Sequence, residues 1–536
     1  MKLSKTPLNT PQRYEHISNE IASFQLQENN KSFEFVDIDI GIDVSTFIAT
    51  PFLIAHMASM IPRTILQYDA ISKFGLSVIT PSENYCCDKP IRIDCRPANV
   101  KIYDVDGIIH TAYYHGNCRV CKSKIYHTYS EDKNGDRQFN NGCDYFVISS
   151  GIGFTTKLLR RISLDISIGC TAFSKIADIY NAQFDLLREH QLDPLILEAN
   201  WLIFRISEYV NVIPWERKLS NRCFHTEKIC LGVYEKLKTT IDAKWLDHVC
   251  EEPGCAQRMV VMDGNEKLYR FCCSKPFERV IGGKGEVNAV KRCVNNPVRG
   301  NQNKSNSDLC MLHETGSPSP VCVKEKIDIR PVTRSYARTL DETITTNAAC
   351  KKEQNINKFE KRTAGMFYLM RSCGIRLSHF EMITAESLSS ILTYLIDTFS
   401  DDPSKRDVIR GIVYDRSCDL HPYLARLASE GNKIAEKFAN LKFIVDVFHA
   451  EKHTQAKCVL GNPQCEYHPD LPQYTKERPM NMEIAEQSFH LLNPYKHITR
   501  NMTYAKRLCF LKVIDDDHNT KLEKLILARS GKLSSL

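Results

Sequence analysis

Residues 258–263 read RMVVMD and run into Gly264 and Asn265; residues 410–415 read RGIVYD. Each is a short apolar run that stops on a carboxylate. The pattern predicts two buried strands that carry Asp263 and Asp415 out of a sheet into a turn. Around them, after residue 360, strand-like and helix-like stretches alternate: FYLMRSCGIRLSHFEM, ESLSSILTYLIDTF, RGIVYD, HPYLARLASEGNKIAEKFANL, KFIVDVFHA and MEIAEQSFHLL. Alternation of this kind predicts an α/β layer architecture.

An aspartate after a strand is common at turns and helix caps, so either carboxylate alone is more often structural than catalytic. Three acids in a compatible order change that balance. Glu486, on the helix MEIAEQSFHLL, is positioned to supply a third oxygen ligand. Metal-dependent phosphodiester chemistry needs such a set, because hard oxygens hold Mg²⁺ or Mn²⁺, and the metals activate the nucleophile and neutralise the leaving oxygen. Glu483 lies one turn before Glu486 on the same helix face. Asp446 also follows an apolar strand, in KFIVDVFHA, and stands as a substitute or supplementary ligand.

Twenty-two cysteines are many for 536 residues. With no secretory signal in the first thirty residues, a reducing compartment favours metal ligation over disulfides. Structural zinc takes four thiolate or imidazole ligands. Around Asp263 stand Cys250, Cys255, Cys272, Cys273, Cys293, Cys310 and His313; near the C-terminus stand His449, His453, Cys458, Cys465 and His468. Toward the N-terminus the firm spacing is Cys118-x-x-Cys121, with Cys86, Cys87, Cys95, His115, His127 and Cys143 as candidate partners. Buried free thiols are the bland alternative for any of them, and a CxxC pair can be redox-active. His449 or His453 could instead serve catalysis or phosphate binding.

The length and the 43% hydrophobic content allow two or three cores. We expect a region of unassigned role over 1–83, a small zinc-supported β module over 84–150 and a helical region over 151–245. A catalytic core over 246–510 follows, with a cysteine-rich insertion at about 272–350, then a C-terminal tail over 511–536. Seventy-one Lys and Arg against 64 Asp and Glu give a net charge of +7, which permits nucleic-acid binding without requiring it. Arg160, Arg161, Lys291 and Arg292 are candidate phosphate contacts, although a solvated face is the commoner fate of such pairs. No stretch approaches a membrane helix, and the expectation is a soluble, intracellular protein with no membrane partner.

VVMDGNEKLYRFCC, TAGMFYLMRSCGI, IVYDRSCDLHP, FIVDVFHAEKHTQAKC and MEIAEQSF together resemble the Kyakuja-Dileera-Zisupton (KDZ) transposases, in particular the animal branch with a CxC-type cysteine cluster. The resemblance runs from about residue 84 to the C-terminus. It implies a ribonuclease-H-like catalytic core with zinc-binding insertions, a catalytic triad of Asp263, Asp415 and Glu486, and a family motif over His449, His453 and Cys458. It also implies DNA as partner, cleavage and joining of phosphodiesters with Mg²⁺ or Mn²⁺, structural Zn²⁺, action in the nucleus, and compatibility with a homo-oligomer. Gln487 departs from the pattern, since related transposases often carry Arg there. The rival reading is a domesticated or inactive derivative that binds DNA or chromatin through its zinc modules. A zinc hydrolase of small molecules ranks last, because every cysteine group reads as a closed structural site.

Overall fold

The computed structural model describes residues 77–94, 96–149, 151–215, 222–272, 278–280, 289–293, 322–324, 362–382, 386–399, 409–450, 466–477 and 479–530. Most of the region of unassigned role lies outside these residues.

Short strands dominate the first hundred described residues. A five-stranded sheet is built on the hairpin of Ala98–Asp104 and Gly107–Tyr113, and Ile152–Thr155 joins it in parallel. A six-stranded sheet beside it contains the strands Gly116–Asn117 and Lys124–Ile125, which flank the CxxC. The chain then turns helical. Helix α1 (Thr156–Ser167) starts where the Thr155 hydroxyl accepts from the Leu158 amide; α2 (Phe173–Gln183) and α3 (Pro194–Ser207) follow. Asp193 caps α3, and proline at its first position suits an end that has no amide partner to lose. Helix α4 (Arg222–Trp245) leads to the central sheet.

The central sheet has five strands, numbered here β1 (Met259–Asn265), β2 (Gly365–Arg371), β3 (Arg376–Met382), β4 (Gly411–Tyr414) and β5 (Lys442–Ile444). Their order across the sheet is β3-β2-β1-β4-β5. The first three form an antiparallel meander, while β4 runs parallel to β1 and β5 parallel to β4. A parallel return needs a crossover. Helix α5 (Leu388–Phe399) supplies one between β3 and β4; α6 (Ser417–Ser429) and α7 (Lys433–Ala439) supply the next. Strand β2 is buried at every position, as expected for a strand covered on both faces. The residues between β1 and β2 form an insertion that carries a separate three-stranded sheet of Glu278–Val280, Ala289–Cys293 and Cys322–Lys324.

After β5 come the short α8 (Val447–Ala450), then α9 (Ile484–Leu492) and α10 (Tyr504–Arg529). Helix α10 packs against α4, α3 and β3. Residues 511–529 of the stretch expected as a C-terminal tail continue this helix, which is buried as far as Asn519 and mostly exposed beyond it. Its inward face is charged. Arg507 and Arg270 both bond the fully buried Glu381 of β3; Asp515 bonds Arg376 and His379 of β3 at 3.1 and 2.6 Å; Lys512 bonds Asp242 of α4. Aromatic contacts of Phe510 with Phe173 and Trp201 join α10 to α2 and α3.

Candidate functional site

Strands β1 and β4 pair in parallel with Val261 opposite Val413 and Met262 opposite Tyr414. Asp263 and Asp415 are the next residues on the two chains, so the carboxylates leave neighbouring strands in step, about 4.8 Å apart at the backbone. Asp263 is 8% exposed and Asp415 2%. Side-chain alternation assigns the face. Asp263 is opposite Tyr368 of β2, whose ring meets Phe489 of α9 edge-on at 6.0 Å, so Asp263 shares the side of the sheet that α9 covers.

On that side lies a cleft of about 260 Å³ whose walls include Asp263, Lys267, His449, Glu486 and Asn493. Glu486 is in the first turn of α9 and exposed, whereas Glu483 stands at the helix cap and does not line the cleft. Asp415, on the strand beside Asp263, is not part of the cleft wall. The three carboxylates do not converge within 4.8 Å of one another.

Asp446, just past β5, accepts from the His449 amide at 2.9 Å and meets His449 Nδ1 at 2.7 Å. Asp446 thus orients the imidazole of a cleft residue. A further acid, Glu386, lies on the opposite face. It accepts from the Tyr414 hydroxyl, and a Cβ on Gly264 would sit 2.6 Å from its Oε2. Lys267, four residues after Asp263, and Glu386, at the turn into α5, were missed from sequence. The spacing DGNEK is the signal for the lysine.

Two sets of soft ligands gather. Cys86, Cys87, Cys118 and Cys121 bring their sulfurs within 4.8 Å of one another, with Cys86 to Cys121 at 3.6 Å and Cys86 to Cys87 at 3.9 Å. Cys118 and Cys121 bracket the turn between two short strands, where the Cys118 amide donates to the Ser123 carbonyl; Cys87 and Asp88 adopt positive φ in a second turn. Hydrogen bonding by Ser123 holds the Cys121 thiol down at about 6, and burial first of all pushes Cys86 up. The second set is His248, Cys250, Cys255 and Cys373. Both sets could hold zinc. Cys250 and Cys255 were read from sequence; His248 and Cys373 were not, although an H-x-C spacing and a cysteine in the turn RSCG mark them.

Other expected residues stand apart. Cys143 is buried, its thiol donates to the Asn140 carbonyl at 3.2 Å, and burial lifts it to about 11. Cys272 is 1% exposed and joins neither set. His468 accepts from the Asp470 amide at 3.3 Å. His115 faces Asp94 at 3.5 Å, and His127 Nδ1 meets the Thr80 carbonyl. Arg160 and Arg161 are exposed on α1. Cys95, Cys273, Cys310, His313, His453, Cys458 and Cys465, together with the side chains of Lys291, Arg292 and Cys293, lie outside the described residues.

Residues 256–519 match the family model of the Kyakuja-Dileera-Zisupton transposase, and residues 77–184 match a CxC5 like cysteine cluster associated with KDZ transposases. No curated protein matches the chain, and no solved structure does. The first match spans the entire central sheet with α9 and the buried part of α10; the second holds the Cys86, Cys87, Cys118 and Cys121 set, and together they make the chain a member of the KDZ transposase family.

Proposed function

We propose that the chain is a DNA transposase whose central sheet is a ribonuclease-H-like core, with Asp263, Asp415 and Glu486 as its catalytic carboxylates. The observation that carries this reading is the register of β1 and β4, which ends two adjacent parallel strands on aspartates in step. The strand order, an antiparallel meander of three extended by two parallel strands, supports the fold. Glu486, on the wall of the same cleft as Asp263, supports its role as third acid.

The donor set suits Mg²⁺ or Mn²⁺, which take carboxylate oxygens. Held there, such ions supply charge neutralisation at the scissile phosphate and acidify the attacking water or 3′-hydroxyl. The chain's own part is to hold the acids rigidly and to meet the phosphate. Lys267 brings a positive charge to the cleft for a phosphate oxygen, and His449, oriented by Asp446, stands on the same wall. Asp446 is then a positioning residue and Glu483 a helix-cap residue. The Cys86, Cys87, Cys118 and Cys121 set holds structural zinc in an N-terminal module, while the helical region packs against the core. The catalytic unit runs to the end of α10, the substrate is DNA, and the site of action is the nucleus. Among the described residues, no helix is long and apolar enough to cross a membrane.

The test is cleavage of DNA bearing the element's own ends in Mg²⁺ or Mn²⁺, comparing the purified chain with Asp263→Ala, Asp415→Ala and Glu486→Ala. Loss of cleavage in all three with retained folding is the expected result. DNA binding without cleavage by the parent protein would overturn the enzymatic reading in favour of a domesticated binding protein.

A further inference from the structure

The entry to β1 and the turn between β2 and β3 are separated by more than a hundred residues of chain, yet both present cysteines to one point. We propose that His248, Cys250, Cys255 and Cys373 form a closed structural zinc site that staples the end of α4 and the β1 entry to the β2–β3 turn.

The geometry fits a tetrahedral ion. With Zn–S near 2.3 Å and Zn–N near 2.0–2.1 Å, ligand atoms are about 3.5–3.8 Å apart. Cys373 Sγ lies 3.7 Å from Cys255 Sγ and 3.5 Å from His248 Nε2, and all four ligand atoms fall within 4.8 Å of one another. Three thiols and one imidazole are a soft set that suits zinc over Mg²⁺. Binding releases the three thiol protons and leaves a site of net charge about −1. Arg371, buried at the end of β2 two residues before Cys373, interacts electrostatically with Cys255 and Cys373 and offsets that charge.

The surrounding backbone is built to hold the ligands. Gly254 takes φ +80°, and a Cβ there would lie 2.7 Å from Met480 Cβ and 2.8 Å from Ser372 Oγ. Ser372 donates to the Pro253 carbonyl at 2.8 Å, and Arg371 to the Leu246 carbonyl at 2.8 Å, tying the turn both to the loop before β1 and to the end of α4. Gly374 takes φ +98°, which closes the turn directly after Cys373. Three of the four ligands precede residue 256, where the KDZ match begins, so the site joins that region to the segment before it.

Zinc content of the full chain, measured by plasma mass spectrometry, tests the proposal. Cys373→Ser is expected to lose one zinc per chain, Cys118→Ser a different one, and the double variant both. His248→Cys is expected to keep the wild-type zinc content and, loaded with Co²⁺, to move its charge-transfer bands toward those of a four-sulfur site. If Cys373→Ser does not fold, differential alkylation of the native wild type decides. Cys250, Cys255 and Cys373 should be protected until a chelator removes zinc. Wild-type zinc content in a folded Cys373→Ser protein, or equal alkylation with and without chelator, overturns the proposal. These readouts do not depend on DNA cleavage, so they stand apart from a failure of the transposase reading.

Discussion

Substituting Asp515 by asparagine should destabilise the core severely, because the aspartate neutralises a positive charge that has nowhere to go. Asp515 is 1% exposed, Arg376 2% and His379 not at all. Although burial alone would raise its pKa, His379 and Arg376 hold the Asp515 carboxyl below the usual carboxylate range. Asparagine removes the charge, and its amide group can satisfy at most one of the two donors. Each hydrogen bond to a charged group contributes about 1.5–3 kcal/mol, which for two bonds agrees with the cost of about 3–5 kcal/mol for removing one member of a buried ion pair. Urea unfolding followed by circular dichroism should therefore lose about 3–5 kcal/mol. The double variant Arg376→Met, Asp515→Leu should regain most of it, since the pair is then replaced by apolar groups. A loss below about 1 kcal/mol in Asp515→Asn, or additive losses in the double variant, would refute the reasoning.

Three other outcomes are expected. Burial, and then the charge of Arg376, push His518 down to about 3. An unfolded histidine titrates near 6.5, so its contribution is complete above that pH and is lost as pH falls toward 3. At pH 4.5 the loss is about 2–3 kcal/mol, and His518→Asn should flatten this part of a stability-against-pH curve. Gly365 takes φ +136°, and a Cβ there would come within 2.2 Å of the Asn265 carbonyl oxygen at the end of β1. Gly365→Ala should cost at least about 2 kcal/mol, read from the same urea curves. Asp446→Asn should leave the fold intact but slow cleavage, because His449 loses the carboxylate that orients its ring; an unchanged rate would deny His449 a part in the reaction.

How much of this was legible in the sequence depends on which chemistry makes each element. RMVVMD and RGIVYD could be read as strands because both faces of the sheet demand apolar side chains, and the terminal aspartates break the run. The helix carrying Glu486 could be read because Phe489 and Leu492 form its buried side. Helix α10 could not be read as part of the core past residue 510. Its inward residues Arg507, Lys512 and Asp515 look like a solvated face until Glu381, Asp242 and Arg376 are brought against them. The ligand set at Cys373 was hidden for a related reason, since His248 precedes it by 125 residues and only the β2–β3 hairpin brings them together. Local patterns reveal burial by apolar residues; burial by charge pairing or metal ligation is a long-range fact.

The two hidden features bear on the cleft itself. The two carboxylates end neighbouring strands in step, so their relative position depends on what holds β1 and β4 in register. Support comes from outside the pair. Arg376 of β3 donates to Ser488 of α9 at 3.0 Å and to Asp515 of α10 at 3.1 Å, which ties the helix that carries Glu486 to the sheet edge and to the long helix behind it. The residues around Cys255 anchor the other end of β1, where the Met259 amide donates to the Gly254 carbonyl at 2.8 Å. Strand β1 is thus fixed at its entry and covered along its length, which holds Asp263 in step with Asp415. On the proposed transposase reading, a site organised in this way would spend little binding energy on ordering the chain.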